Sequence, residues 1–184
     1  MNTLLIDTHD RELLLAIYKD EKLKWKKEIK EQLDHSTVCM PSLVALLNEA
    51  SLTIHDINDI VVVNGPGSFT GVRLGVTIAK ILSYTLQIPI RSITSLELYE
   101  YPSDAIYGVL KEKNGYYVAQ RKNEMFDFYN YLKKDEFSSW SKNKNFAYGE
   151  VIDYENLVKK AHLKEAENAH TVNPFYVKKI GVQE

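Results

Sequence analysis

The chain has 184 residues and its hydrophobic fraction is 45%, enough for one good-sized core or two smaller lobes of a globular protein. A net charge of −2 excludes a global basic field that would recruit nucleic acid, and the single cysteine, Cys39, excludes an internal disulfide framework and fits a reducing compartment. The N-terminus lacks the basic and long apolar regions of a signal peptide, and no apolar run reaches the ~20 residues of a membrane span, so a cytoplasmic protein without membrane association is expected.

Leu4-Leu5-Ile6 reads as a buried strand ending at Asp7-Thr8. A turn through His9-Asp10-Arg11 leads to a second strand, Glu12 to Tyr18. In a third, Leu23, Trp25 and Ile29 share one face and lysines the other. A helix is predicted from about Ser36 to Ala50, with Leu43, Leu46, Leu47 and Ala50 at helical spacing and Pro41 tolerable only near its first turn. The β-branched run Ile60-Val61-Val62-Val63 lies in a buried strand from Asp59 to Asn64. It leads into Asn64-Gly65-Pro66-Gly67-Ser68-Phe69-Thr70-Gly71-Val72-Arg73-Leu74-Gly75 and then an apolar-periodic stretch reaching about Leu86. That is strand, tight glycine turn and helix. Pro89 breaks the chain, and Ile90 to Thr94 forms another strand. The order β-β-β-α-β-α-β makes a mixed sheet with helices on its faces, one lobe over residues 1–102.

Residues 103–184 read as a shorter second lobe. Ala105–Leu110 and Tyr116–Arg121 flank Asn114-Gly115, a hairpin signal whose two turn residues favour positive φ. Glu124 to Lys133 is a third strand, Asp135 to Ser141 a short helix and Phe146 to Tyr148 a strand. Asp153 to about Asn168 is an amphipathic helix with Tyr154, Leu157, Val158 and Ala161 on one face. The tail from Asn173 to Tyr176 reads as a surface segment held by aromatics.

The glycine turn is not a P-loop, because Val72-Arg73 stand where a lysine should follow Gly71. It is not a dinucleotide fingerprint either, because Thr70 occupies the third glycine position. Two readings stay open: glycines that aim N–H groups at a ligand, and glycines that let helix and strand pack closely. Ser68 and Thr70 are candidate helix caps. Gly67-Ser68-Phe69 lacks the spacing of a nucleophile elbow, and Cys39 reads as a small core residue. Arg73 could meet an anion or form a structural ion pair. His9, His35, His55, His162 and His170 include no pair four apart, so no metal site is expected. His162 and His170, among lysines and glutamates, read as solvated. The lysine runs Lys24, Lys26, Lys27; Lys142, Lys144; and Lys178, Lys179 read as solvated faces rather than a phosphate track.

Leu5-Ile6-Asp7-Thr8, the string from Asn64 to Gly75, and Ile93-Thr94-Ser95-Leu96-Glu97 resemble the TsaB (YeaZ) family, and His35-Ser36 matches its usual start of the first helix. The likeness covers residues 1 to about 100 and is most specific from Gly65 to Gly71 with Arg73 and Gly75. It implies an α/β protein with the two-lobed actin/Hsp70-like fold of the sugar-kinase superfamily, a mixed sheet with helices in each lobe, and here a reduced second lobe. It further implies a non-catalytic partner in making threonylcarbamoyladenosine at position 37 of tRNA. A TsaD-like transferase would be bound as a heterodimer and a TsaE-like ATPase would join. The chain would self-associate when alone, and tRNA would be met only through the complex. TsaD-type catalysis uses two histidines four apart after the fifth strand, and the register gives Ser95 and Tyr99 there. No catalytic residue, metal or cofactor of its own is therefore expected, with ATP at most weak or at a complex interface. The two helices of the first lobe carry more apolar positions than one sheet requires, so Leu43, Leu46, Leu47, Val72, Arg73, Val76 and Lys80 are the expected partner face. The alternative is an ATP-binding phosphotransferase or hydrolase working between the lobes. Asp7 would be its strand-end carboxylate, as in ATP-using members of the superfamily. Gly65, Gly67, Ser68, Thr70 and Gly71 would surround phosphate.

Overall fold

A computed structural model describes residues 1–30, 35–122 and 125–178. Glu124 and Lys179, which fall in a predicted strand and a lysine run, lie outside the described residues. The chain divides into two compact units, Met1–Ser95 with Tyr154–Phe175 and Leu96–Asp153 with Tyr176–Glu184. The expected single boundary after residue 102 is thus corrected: a later segment returns to the first unit. No helix among the described residues is long and apolar enough to cross a membrane.

The first unit is built from β1 (Asn2–Asp7), β2 (Leu13–Lys19), β3 (Lys22–Ile29), α1 (His35–Glu49), β4 (Asp59–Val63), α2 (Phe69–Leu86) and β5 (Ile90–Ile93). The sheet order is β3-β2-β1-β4-β5, antiparallel across the meander and parallel from β1 to β4 and β5. The predicted order of elements is the observed one. The meander's second turn is Asp20-Glu21, whose φ values of 49° and 61° match the twist of the strands it joins. No glycine or asparagine marked it. A register shift between Ile17 and Tyr18 puts Leu23 opposite Tyr18 and Trp25 opposite Ile17. The expected single apolar face of β3 therefore breaks at that irregularity.

Both helices pack on one face of the sheet. Leu4 and Ile6 of β1, Leu13, Leu15 and Ile17 of β2, and Ile60 and Val62 of β4 form one core with Leu43, Leu46 and Leu47 of α1 and Val72, Val76 and Ala79 of α2. This corrects the expected partner face: Leu43, Leu46, Leu47, Val72 and Val76 are buried against the sheet and unavailable to a partner. The apolar residues of α2 run almost round its axis, and the sheet takes the phase containing Val72, Val76 and Ala79. Pro41 lies in the second turn of α1, later than expected, on its solvent side. There the lost hydrogen bond leaves a carbonyl that water can reach. Ser68 is the N-cap of α2 and its Oγ accepts the N–H of Gly71; Thr70 is inside the helix and exposed, not a cap.

The second unit contains β6 (Tyr107–Glu112), β7 (Gly115–Lys122), β8 (Met125–Lys133), α3 (Lys134–Trp140) and β9 (Phe146–Tyr148), with sheet order β8-β7-β6-β9. The β6–β7 hairpin is where the sequence puts it, but its turn is Lys113-Asn114, one residue early, and neither residue has positive φ. Gly115 instead opens β7, where a Cβ would stand 2.3 Å from the carbonyl oxygen of Leu132. Its glycine serves the close approach of β8. Tyr116 stacks on Phe137 of α3 at 3.8 Å, in a cluster with Trp140 and Phe146.

Residues 154–175 belong to the first unit as a strap. The long helix expected from Asp153 to Asn168 is corrected to α4 (Leu157–His162), with Leu157, Val158 and Ala161 buried as its pattern implied. The helix stops because the chain turns to the edge of β5. There Glu167 donates its N–H to Ile90 O at 2.8 Å and accepts the N–H of Ser92 at 2.7 Å. Farther on, the carbonyls of His170 and Val172 accept from Lys80 Nζ at 3.3 and 2.8 Å. Lys80 is therefore held by its own chain, a second correction to the partner face. Phe175 of the tail donates its N–H to Asn64 O at 2.7 Å. His162 is not solvated; its ring lies between Glu21 and Asp59.

Leu46→Ala is expected to lower the stability of the isolated chain by about 2–5 kcal/mol through the cavity it leaves. Val44→Ala on the solvent side of α1 should shift it by less than about 0.5 kcal/mol. Urea unfolding of the isolated protein checks both, and an unchanged midpoint for Leu46→Ala would contradict its place in the core.

Candidate functional site

The strand-end carboxylate and the glycine turn meet at one end of the first sheet. Asp7 ends β1 and is almost fully buried. Its Oδ1 accepts the N–H of His9 at 2.9 Å and lies 2.7 Å from His9 Nδ1. Burial pulls the His9 imidazole down, but Asp7 beside it outweighs that and holds the ring above the ordinary histidine value. Asp7 thus faces its own neighbouring turn.

The glycines lie against the two residues that follow Asp7, Thr8 and His9. A Cβ on Gly67 would stand 2.3 Å from His9 O, on Gly71 2.0 Å from Thr8 O, and on Gly75 2.4 Å from Thr8 Oγ1. Hydrogen bonds fasten the approach: Ser68 N–H donates to His9 O and Thr8 Oγ1 to Gly71 O, both at 2.6 Å. On the other side of the turn, Gly65 O accepts Ser95 N–H at 2.9 Å, and Ser95 Oγ donates to Pro66 O at 2.6 Å. Of the two readings left open for the turn, close packing of backbone on backbone is the one these distances describe. Asp7, Gly65, Gly67, Ser68 and Gly71 share this neighbourhood. Thr70 points out of it, exposed on the first turn of α2. Ser95 opens a short 3₁₀ turn ending at Leu98, not a longer α-helix, so Ser95 and Tyr99 are not stacked one helical turn apart. Among the described residues, no three His, Cys, Asp or Glu side chains gather as a metal set.

The other candidate is the solvent face of the helices. Glycine packing fixes the rotation of α2, so Arg73, Thr77, Ile81 and Tyr84 run along its outer side, at helical spacing. Ile81 is 58% exposed and Tyr84 57%. On α1, Val44 is 54% exposed and Met40 43%. Phe69 is also exposed, with the guanidinium of Arg73 at 3.8 Å from its ring centroid, a cation–π contact. Of the residues expected on this face, only Arg73 is there. Periodicity cannot rank two apolar stripes on one helix, so it did not tell which of them the sheet buries. The signal that could have ranked them is the glycine spacing, since Gly71 and Gly75 must face inward with Val72 and Val76.

Residues 30–106 match the TsaD family, tRNA N6-adenosine threonylcarbamoyltransferase. Over 97 residues the chain is 40% identical to the tRNA threonylcarbamoyladenosine biosynthesis protein TsaB of Bacillus subtilis, covering 53% of this chain and 42% of that protein. It is 30% identical over 96 residues to the protein of the same name from Escherichia coli, covering 52% of this chain and 41% of that one. The match therefore spans less than half the length of these relatives. In structure the chain is similar to YeaZ from Pseudomonas aeruginosa, with a TM-score of 0.74 at 17% identity, covering 95% of this chain and 99% of that one. An uncharacterized protein with similarity to peptidase YEAZ from the same organism gives a TM-score of 0.76 at 16% identity, covering 96% and 99%. The two sheets with their helices are thus the fold of these YeaZ proteins. By sequence over about half its length the chain is similar to the TsaB proteins, and over nearly all of its length it shares the fold of YeaZ.

Proposed function

We propose that this chain takes part in tRNA threonylcarbamoyladenosine biosynthesis as a non-catalytic subunit, docking a TsaD-like transferase through the outer face of α1 and α2. The observation that carries this is the apolar face itself: Met40, Val44, Ile81 and Tyr84 stand in solvent on two adjacent helices of the first unit. Water-exposed apolar side chains grouped on one face mark an interaction surface. The names of the relatives support the pathway. In this reading the chain acts in the cytoplasm with no cofactor of its own. A TsaE-like ATPase joins the pair, tRNA is met only by the complex, and the same face closes on a second copy when the transferase is absent.

The double variant Val44→Glu with Ile81→Glu should abolish co-elution with the TsaD-like subunit on size exclusion. Both side chains are outside the core, so each change should leave stability within about 0.5 kcal/mol. Retained co-elution would count against this face. Calorimetric titration of the isolated chain with magnesium and ATP is expected to give neither tight binding nor turnover. Tight binding with turnover would favour a phosphotransferase or hydrolase instead.

A further inference from the structure

The first sheet ends in β3 on one side and β5 on the other. β3 exposes Lys22, Lys24 and Lys26, charges that discourage another strand from pairing there. β5 has no such defence of its own. Ile90 and Ile93 are buried, and Arg91 is turned to Asp59. Pro89 O and Ile93 O accept from Ile60 and Asn64, on the β4 side, so the polar main-chain groups of Ile90 and Ser92 point away from the sheet. The strap takes them one after another. Glu167 donates its N–H to Ile90 O at 2.8 Å, its Oε1 accepts the N–H of Ser92 at 2.7 Å, and Lys164 Nζ donates to Ser92 O at 3.2 Å. Lys164 O accepts in turn from Arg91 Nε at 3.2 Å. Only the first of these contacts is the bridge a strand would make. At Ser92 a carboxylate stands where a neighbouring strand would offer its carbonyl, and an ammonium stands where it would offer its N–H. Glu167 is exposed and Lys164 half-buried, so these side-chain bonds belong to the part of the unit that opens most readily.

We propose that Lys164 and Glu167 are a surrogate strand that keeps the β5 edge shut, and that without them this edge pairs with β5 of a second copy of the chain. The occupant follows from the edge itself. Two β5 strands can meet antiparallel about a two-fold axis at Ser92, each Ser92 giving its N–H to the carbonyl of the other. Those are the two groups that Glu167 and Lys164 hold. In this register Arg91 lies opposite Ile93 of the second copy, so the two guanidinium groups do not face each other. The guard does not depend on what docks against α1 and α2.

The test uses the full chain carrying Val44→Glu and Ile81→Glu, so that association through the helical face does not contribute. Adding Lys164→Ala with Glu167→Ala should turn a monomer into a concentration-dependent dimer by light scattering. At low concentration, hydrogen exchange of the Ser92 amide should speed up on the order of tenfold while β1 and β4 keep their protection. Glu167→Gln with Lys164 intact keeps an acceptor oxygen for Ser92 and should stay monomeric. Ser92→Pro, added to the double alanine variant, removes an N–H that β4 does not use and should restore the monomer. A double alanine variant that stays monomeric at every concentration would overturn the proposal. So would a dimer that survives Ser92→Pro, because its contact would lie elsewhere. Loss of protection in β1 and β4 would also overturn it, by showing that Lys164 and Glu167 hold the core rather than shield the edge.

Discussion

The first unit depends on one close approach, that of the Thr8–His9 backbone to Gly67, Gly71 and Gly75. The three glycines are spaced four apart. In the helix, four residues is about one turn, so Gly71 and Gly75 present bare backbone along one line. Helical glycine costs about 0.5–1 kcal/mol relative to alanine. Here a Cβ would meet Thr8 O at 2.0 Å or Thr8 Oγ1 at 2.4 Å, so alanine would force strand end and helix apart. The contact fixes more than distance. With Gly71 and Gly75 against β1, the rotation of α2 is set: Val72, Val76 and Ala79 enter the core, and Arg73, Thr77, Ile81 and Tyr84 face water.

The opposite flank of α2 and the open edge of the sheet are completed by the strap. β5 is only four residues long, and an uncovered edge invites pairing with another chain. Glu167 closes part of it with a main-chain bridge to Ile90 and a carboxylate on Ser92. The same segment brings His162 to Asp59, which is buried at the start of β4 and pairs there with Arg91. Burial raises the Asp59 carboxyl, and His162 and Arg91 pull it back. A buried carboxylate stripped of its partners is strongly destabilising, typically by about 3–5 kcal/mol. The strap is therefore part of the core's electrostatics as well as cover for an edge.

The order of elements was legible because its signals are local. Ile60-Val61-Val62-Val63 is a strand buried on both faces, and Ser68 before a helical period is a start signal. What was not legible depended on distant partners. The Asp153–Asn168 stretch carries a helical pattern, yet Glu167 gives its N–H to a strand more than seventy residues earlier and the helix ends at His162. His162 looks like a surface histidine in its own segment, because its two anions stand 141 and 103 residues away. The Asp20-Glu21 turn takes positive φ without glycine because strand twist imposes it. On the candidate site, the helices were readable and the exposed side was not. Leu46 and Val44 are equally apolar in sequence, and only packing tells them apart.

The two sides of α2 answer to different constraints. On the inner side every residue is required by something in the chain: Gly71 and Gly75 by Thr8, Val76 and Ala79 by the sheet. On its flank, Lys80 is required by the carbonyls of His170 and Val172. On the outer side Ile81 is 58% exposed, and a polar helix former would serve at that position as well. Ile81 on that side, with Val44 on the neighbouring helix, is thus composition that the fold of the isolated chain does not explain. The Gly65–Gly75 string that carries the family likeness acts on Ile81 at a distance, by holding α2 in the one rotation that turns it outward.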